Sequence, residues 1–270
     1  MRLGVRRHSR SLHRCITTHF NYRPFVTPES VTDLKSLVFV VGSLLSVAAA
    51  VRFRPSECRL VAEAALPVGL IGFLIGVISM LAAESNPSQI APAVAIAILT
   101  LVYAGIVRLL FVDSLKQDLL EARSLLGKAA GTGGLVIMMI WAMTSVSPDG
   151  LTMFWYPQVA MVMVGIALLV FLIGRLVDAG YATGWAKKIV GLGWLGFSLG
   201  IVAALPQLST PTALGTALAF SFLSLLYSAV AVIVGLIWIP QAMTSEKGAL
   251  SLGLSVMMPI AVAVLAVLVG

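Results

Sequence analysis

From Ser36 onward, apolar runs follow one another to the end of the chain, and the short segments between them hold most of the charge. A run of roughly 18 or more such residues is long enough to cross the hydrocarbon core as a helix. Within lipid, only a helix or a closed barrel satisfies its own backbone. Eight runs read as spans: Ser36 to Val51, Leu66 to Ala83, Ile90 to Val112, Ala129 to Val146, Tyr156 to Ile173, Ile189 to Leu205, Thr212 to Ile239 and Leu250 to Val269. Charged residues make up 11% of the chain, less than half of the roughly one quarter usual in soluble domains. The expected fold is all-α: a polytopic transmembrane bundle of about eight helices, with membrane lipid as its solvent.

The loops between runs set a topology. Arg52, Arg54 and Arg59 lie between the first two runs, and Arg108, Lys116, Arg123 and Lys128 between the third and fourth. Arg175, Lys187 and Lys188 lie between the fifth and sixth, and Lys247 between the last two. The even-numbered loops carry no Lys or Arg. This alternation is the positive-inside pattern, so the odd loops are expected in the cytoplasm and both termini outside. It also accounts for the net charge of +7 without a nucleic-acid partner. Residues 1–30 form a basic tail without an apolar run, read as a solvated tail rather than a secretory or transit signal. Its arginines run against the topology of the later loops.

A shift of 124 positions aligns GLIGFLIGVISMLAAESNPSQIAPAVAIAILTLVYAG with GWLGFSLGIVAALPQLSTPTALGTALAFSFLSLLYSA without a gap. Gly69, Gly72 and Gly76 fall on Gly193, Gly196 and Gly200, Pro87 on Pro211, and Tyr103 on Tyr227. Internal repeats decide architecture. Two tandem four-helix units are expected, residues 31–150 and 155–270. Four spans per unit make the units parallel rather than inverted.

Residues three and four apart share a helix face. Small residues there let helix backbones close up in lipid. Gly69, Gly72, Gly76, Gly193, Gly196 and Gly200 are therefore read as packing positions. Pro67 and Pro92 either start a helix or open a carbonyl toward a cavity. Thr100 and Ser224 are repeat partners, each three residues before a paired tyrosine, Tyr103 or Tyr227. These six residues are the candidates for a polar path; the competing reading is that the hydroxyls bond their own helix carbonyls. No Asp, Glu, Lys or His stands in the middle of a span, so the chain offers no carboxylate relay of its own. His8, His13, His19 and Cys15 match no zinc spacing. No catalytic or cofactor motif appears, so neither enzyme activity nor a metal nor a cofactor is expected.

Residues 65 to 105, ALPVGLIGFLIGVISMLAAESNPSQIAPAVAIAILTLVYAG, resemble the MotA/TolQ/ExbB family of ion-driven inner-membrane motors, flagellar stator subunits above all. Members carry approximately P-x-x-G-x-x-G-T-x-x-G, a short periplasmic turn, then G-P-A-x-A-x-A-L-L-T-T-x-Y-G. Pro67, Gly69 to Gly76, Pro92, Ala93, Ala97, Thr100 and Tyr103 match. SLVFVVGSLLSVAAAVRF and GTGGLVIMMIWAM look like two further helices of the family. The resemblance implies a multi-pass protein of the bacterial inner membrane, an ion-channel or motor component. It implies homo-oligomers around a single-span partner whose membrane aspartate carries the ion. The chain departs from the pattern at Phe73 and Phe197, which replace a threonine, and at Leu101. It also shortens the family's cytoplasmic domain to Arg52 through Glu63, which argues against turning a flagellar rotor. The alternatives are a membrane scaffold or assembly protein, and a small-molecule transporter with its site between the repeats.

Overall fold

The computed structural model describes residues 33–53, 58–82, 90–111, 124–146, 150–157, 159–161, 163–165, 185–207 and 211–238. These residues are helical with no strand. The helices are α1 (Leu34–Ala50), α2 (Cys58–Ala82), α3 (Ile90–Leu110), α4 (Leu125–Val146), α5 (Trp185–Ala204) and α6 (Pro211–Trp238), with 3₁₀ turns at Gly150–Phe154 and Leu205–Gln207. The described parts of residues 157–165 are also helical. Three stretches are long and apolar enough to cross a membrane, Cys58–Leu81, Leu125–Ser145 and Ser221–Trp238, and this is a membrane protein. The basic tail, most of the fifth expected span and all of the eighth lie outside the described residues.

Local chemistry sets the boundaries. Helix α2 begins eight residues before the expected Leu66, because the charged turn joins it: Arg59 Nε donates to Glu63 Oε1 at 2.8 Å, an i,i+4 pair on one helix face. Pro67 is consequently well inside α2, not in a first turn, and the Glu63 carbonyl loses its helical donor there. Helix α4 starts where Ser124 Oγ accepts from Gly127 N at 3.2 Å, an N-cap. Helix α1 ends in a Schellman-type cap. Arg52 N donates to Ala49 O and Phe53 N to Ala48 O, both at 3.0 Å, with Arg52 and Phe53 at φ of 54° and 53°. Neither is a glycine, so this turn holds two side chains in the left-handed region they seldom adopt.

Helix α2 packs on α3 and on α6, and α6 packs on α5, so the four stand in the order α3, α2, α6, α5. Helices α1 and α4 pack against each other and against α2. The core follows this order: Ile71, Leu74 and Ile78 of α2 and Leu226, Ile233 and Ile237 of α6 are wholly buried. Helix α4 is largely exposed, showing Ile137, Ile140 and Trp141 to its surroundings.

Helix α4 runs opposite to α1, and α6 opposite to α4. Gly131 meets Ala50 while Gly42 meets Met138, so α4 opposes α1. Trp238 Nε1 donates to Thr132 Oγ1 at 3.0 Å, and Tyr227 donates to the Phe154 carbonyl beyond α4 at 2.8 Å, so α6 opposes α4. One end of the bundle consequently collects Arg52, Arg59, Arg108, Lys128 and Lys188, and the other has Lys35, whose Nζ reaches Ser145 O at 3.4 Å. That is the charge asymmetry that the positive-inside rule describes.

Candidate functional site

The candidate residues meet at two helix crossings, α2 with α3 and α5 with α6. A side-chain methyl at Gly69 would lie 2.5 Å from Ala104 Cβ and 3.1 Å from the Thr100 carbonyl oxygen. One at Gly72 would lie 2.9 Å from Thr100 Cγ2 and from Phe39 Cε1. Carbon atoms settle at about 3.5–4.0 Å, so only glycine fits there. At the other crossing, a Cβ on Gly193 would run into Ser228, one on Gly196 would come within 2.7 Å of Ser224 Cβ, and one on Gly200 within 2.8 Å of Ser221 Cα. Gly76 is buried in α2.

This closeness brings a hydroxyl to a carbonyl of the facing helix. Thr100 Oγ1 lies 2.7 Å from Ala97 O and 3.1 Å from Gly69 O. Ser224 Oγ lies 2.7 Å from Ser221 O and 3.2 Å from Gly193 O. Each hydroxyl has a single proton, shared between its own helix and the neighbour. The second set stands 124 positions after the first, Gly193 matching Gly69, Ser221 matching Ala97 and Ser224 matching Thr100. Both hydroxyl-bearing residues are buried. The glycine opposite removes the side chain that would otherwise hold the helices apart. In lipid such a bond contributes about 0.6 kcal/mol on average and at most about 1.7.

The remaining candidates are placed as follows. Tyr103 is half-buried against the apolar core, and Tyr227 ties α6 to the turn after α4. Pro67 is buried on α2. Pro92 occupies the first turn of α3, where a missing N–H costs nothing. Phe73 and Phe197 are both buried, and Phe197 packs on Phe222 with ring centroids 5.3 Å apart. Ser79 bonds its own helix at Ile75 O, 2.8 Å away. Ser43 Oγ and Arg108 Nη1 are buried with no hydrogen-bond partner among the described residues.

A third close contact escapes the repeat argument. Gly127, Gly131 and Gly134 of α4 press on Ala50 and Ser46 of α1, where a Cβ would stand 2.6 Å from the nearest atom in each case. Their i, i+4, i+7 spacing is the same small-residue signal as in α2; it lies in GKAAGTGG, at the start of the fourth expected span. Gly133, beside them in sequence, has nothing within 4 Å.

Asp33 and Glu63 are the only acidic residues among those described, and Glu63 is committed to Arg59. No group of His, Cys, Asp and Glu able to hold a metal ion occurs among the described residues.

No family model, curated protein or solved structure matches this chain.

Proposed function

We propose that the chain is a membrane subunit of two parallel four-helix units, the carboxylate-free component of an ion-driven inner-membrane complex of the MotA/TolQ/ExbB type. A single-span partner supplies the membrane aspartate that carries the ion. The duplication is supported by the two crossings, which repeat glycine, hydroxyl and carbonyl at a constant offset, and by the common direction of the α2–α3 and α5–α6 hairpins. The observation that carries the functional reading is the acid content of the apolar helices. Among the described helices the one carboxylate, Glu63, sits at the start of α2 in an ion pair. An ion relay through lipid needs an ionisable group, so it must come from another chain.

A second reading has its own support. The Thr100 and Ser224 hydroxyls are spent on helix carbonyls, which suits a membrane scaffold or assembly protein better than a polar path through the hairpins. Purification from native membranes in mild detergent tests both. The motor reading expects a co-purifying single-span protein with a membrane aspartate, and proton flux in liposomes only when both are present. Recovery without such a partner overturns it, and a stable partner complex without flux favours the scaffold.

A further inference from the structure

We infer that Arg108, at the basic end of α3, binds the phosphate of an anionic phospholipid whose acyl chain lies in the open slot at Gly105. Arg108 stands in the last turn of α3. Its Nη1 is buried and has no hydrogen-bond partner among the described residues. Other cations of the same end are differently placed. Arg59 Nε donates to Glu63 Oε1 at 2.8 Å. Lys128 Nζ donates to the Trp238 carbonyl at 3.2 Å and lies over the Trp238 ring. Arg52 is exposed. Of the two acids among the described residues, Asp33 begins the opposite end and Glu63 is held by Arg59.

The position of Arg108 suits an acceptor that arrives from the lipid. Gly69 meets Ala104 and Gly72 meets Thr100, so α3 runs opposite to α2 and Arg108 lies toward the start of α2. Residues three and four apart are neighbours on a helix face. Arg108 therefore rises between Ala104, which is buried on α2, and Gly105, where a Cβ would meet no atom within 4 Å. Around Gly105, Val102, Ile106 and Leu109 are 46%, 49% and 72% exposed. They are the apolar walls of a gap left by the missing side chain. Arg108 itself is half-buried. With no hydrogen bond to hold Nη1, rotation of the guanidinium brings it to that opening.

The chemistry selects the ligand. A buried guanidinium nitrogen without an acceptor is costly. Snorkelling to water would remove that cost, and Nη1 has not taken that course. A phosphate group matches the guanidinium fork with two parallel N–H···O bonds. A free phosphate would use the fork and leave the slot empty, whereas a phospholipid fills both, since its acyl chains continue from the headgroup into the apolar layer. Net negative charge is favoured by Arg52, Arg59, Lys128 and Lys188 at the same end. The positive-inside pattern assigns that end to the cytoplasmic leaflet, which carries anionic lipid. A zwitterionic headgroup would bring an ammonium group to the same cations.

Native mass spectrometry of the detergent-purified full-length chain tests this, with dioleoyl phosphatidylglycerol and dioleoyl phosphatidylcholine added at matched concentrations. The wild-type chain should retain phosphatidylglycerol in preference. Arg108→Gln should bind it about tenfold more weakly, the worth of one hydrogen bond to a charged group, with phosphatidylcholine binding unchanged. Arg108→Lys keeps the charge without the fork and should fall between the two. Arg52→Gln removes the same charge elsewhere at this end and should match the wild type. Gly105→Leu keeps the arginine but fills the slot, and should also lose phosphatidylglycerol; it carries the test if Arg108→Gln does not fold. Equal phosphatidylglycerol binding by the wild type and Arg108→Gln overturns the inference, and leaves Arg108 to an acid of the chain itself such as Asp113, Asp118 or Glu121. An equal loss in Arg52→Gln reduces the effect to net charge and overturns it as well. Inorganic phosphate at the same concentration should not displace the lipid; if it does, the site is one for a free anion and the inference fails.

Discussion

Replacing Gly69 by alanine tests the close crossing of α2 and α3. The new methyl starts 2.5 Å from Ala104 Cβ, and carbon atoms need about 3.5 Å or more. The helices must part by about 1 Å. Two backbone atoms of α3, the Thr100 oxygen at 3.1 Å and Leu101 Cα at 3.3 Å, block a sideways escape. The same movement carries Thr100 Oγ1 from 3.1 Å to about 4 Å from the Gly69 carbonyl, beyond hydrogen-bonding reach. Overpacking costs about 1–3 kcal/mol and the lost bond about 0.6. Alanine returns at most about 1 kcal/mol through its better helix propensity. The net is a destabilisation of about 2 kcal/mol. Gly133→Ala is the internal comparison, since it meets nothing within 4 Å and is expected to be neutral or slightly stabilising. Unfolding in detergent, followed by tryptophan fluorescence, ranks the two. Adding Ala104→Gly to Gly69→Ala should recover part of the loss, and the coupling in that double-mutant cycle measures the contact itself. If Gly69→Ala is as stable as Gly133→Ala, or Ala104→Gly restores nothing, the crossing is not as close as described.

Other changes should follow the same logic. Thr100→Val and Ser224→Ala should each lower stability by about 0.6 kcal/mol, and by no more than about 1.7, whereas Thr100→Ser should keep the bond; the same unfolding measurement distinguishes them. Gly131→Leu should force α4 away from Ala50 and Ser46 of α1 and lower stability well below that of Gly133→Ala in the same unfolding measurement. Glu63→Gln keeps an oxygen that accepts from the mostly buried Arg59 but removes the negative charge facing the guanidinium, so this variant should melt below the wild-type chain in a thermal scan.

Much of this architecture was legible in the sequence, for a physical reason. Lipid forbids unsatisfied backbone, so an apolar run such as Ile90–Leu110, charged only at Arg108 in its last turn, had to be helical, and its observed start agrees with the expected one. The glycines of α2 and α5 announced close packing through their spacing, and Gly69, Gly72, Gly193, Gly196 and Gly200 all lie at such crossings. Thr100 and Ser224 were singled out for a polar path; the competing expectation, a bond to a carbonyl of their own helix, is what each one makes, together with a bond to the facing helix. The start of α2 was missed because Arg59 and Glu63 look like loop charges until they are seen to neutralise each other along one face. The α1–α4 glycine contact was missed because its partner, Ala50 and Ser46, lies about eighty residues away and repeats nothing. The order α3, α2, α6, α5 depends on which buried faces match in three dimensions, and no local pattern encodes that.

Side-specific cysteine labelling in sealed membrane vesicles bears most directly on the central claim, two helical units threaded through the membrane in the same sense. In a chain without native cysteines, Leu110→Cys, Lys188→Cys and Trp155→Cys are treated with an impermeant maleimide from either side. Leu110→Cys and Lys188→Cys should react from one shared side and Trp155→Cys from the other. Reaction of Leu110→Cys and Lys188→Cys from opposite sides would contradict the account.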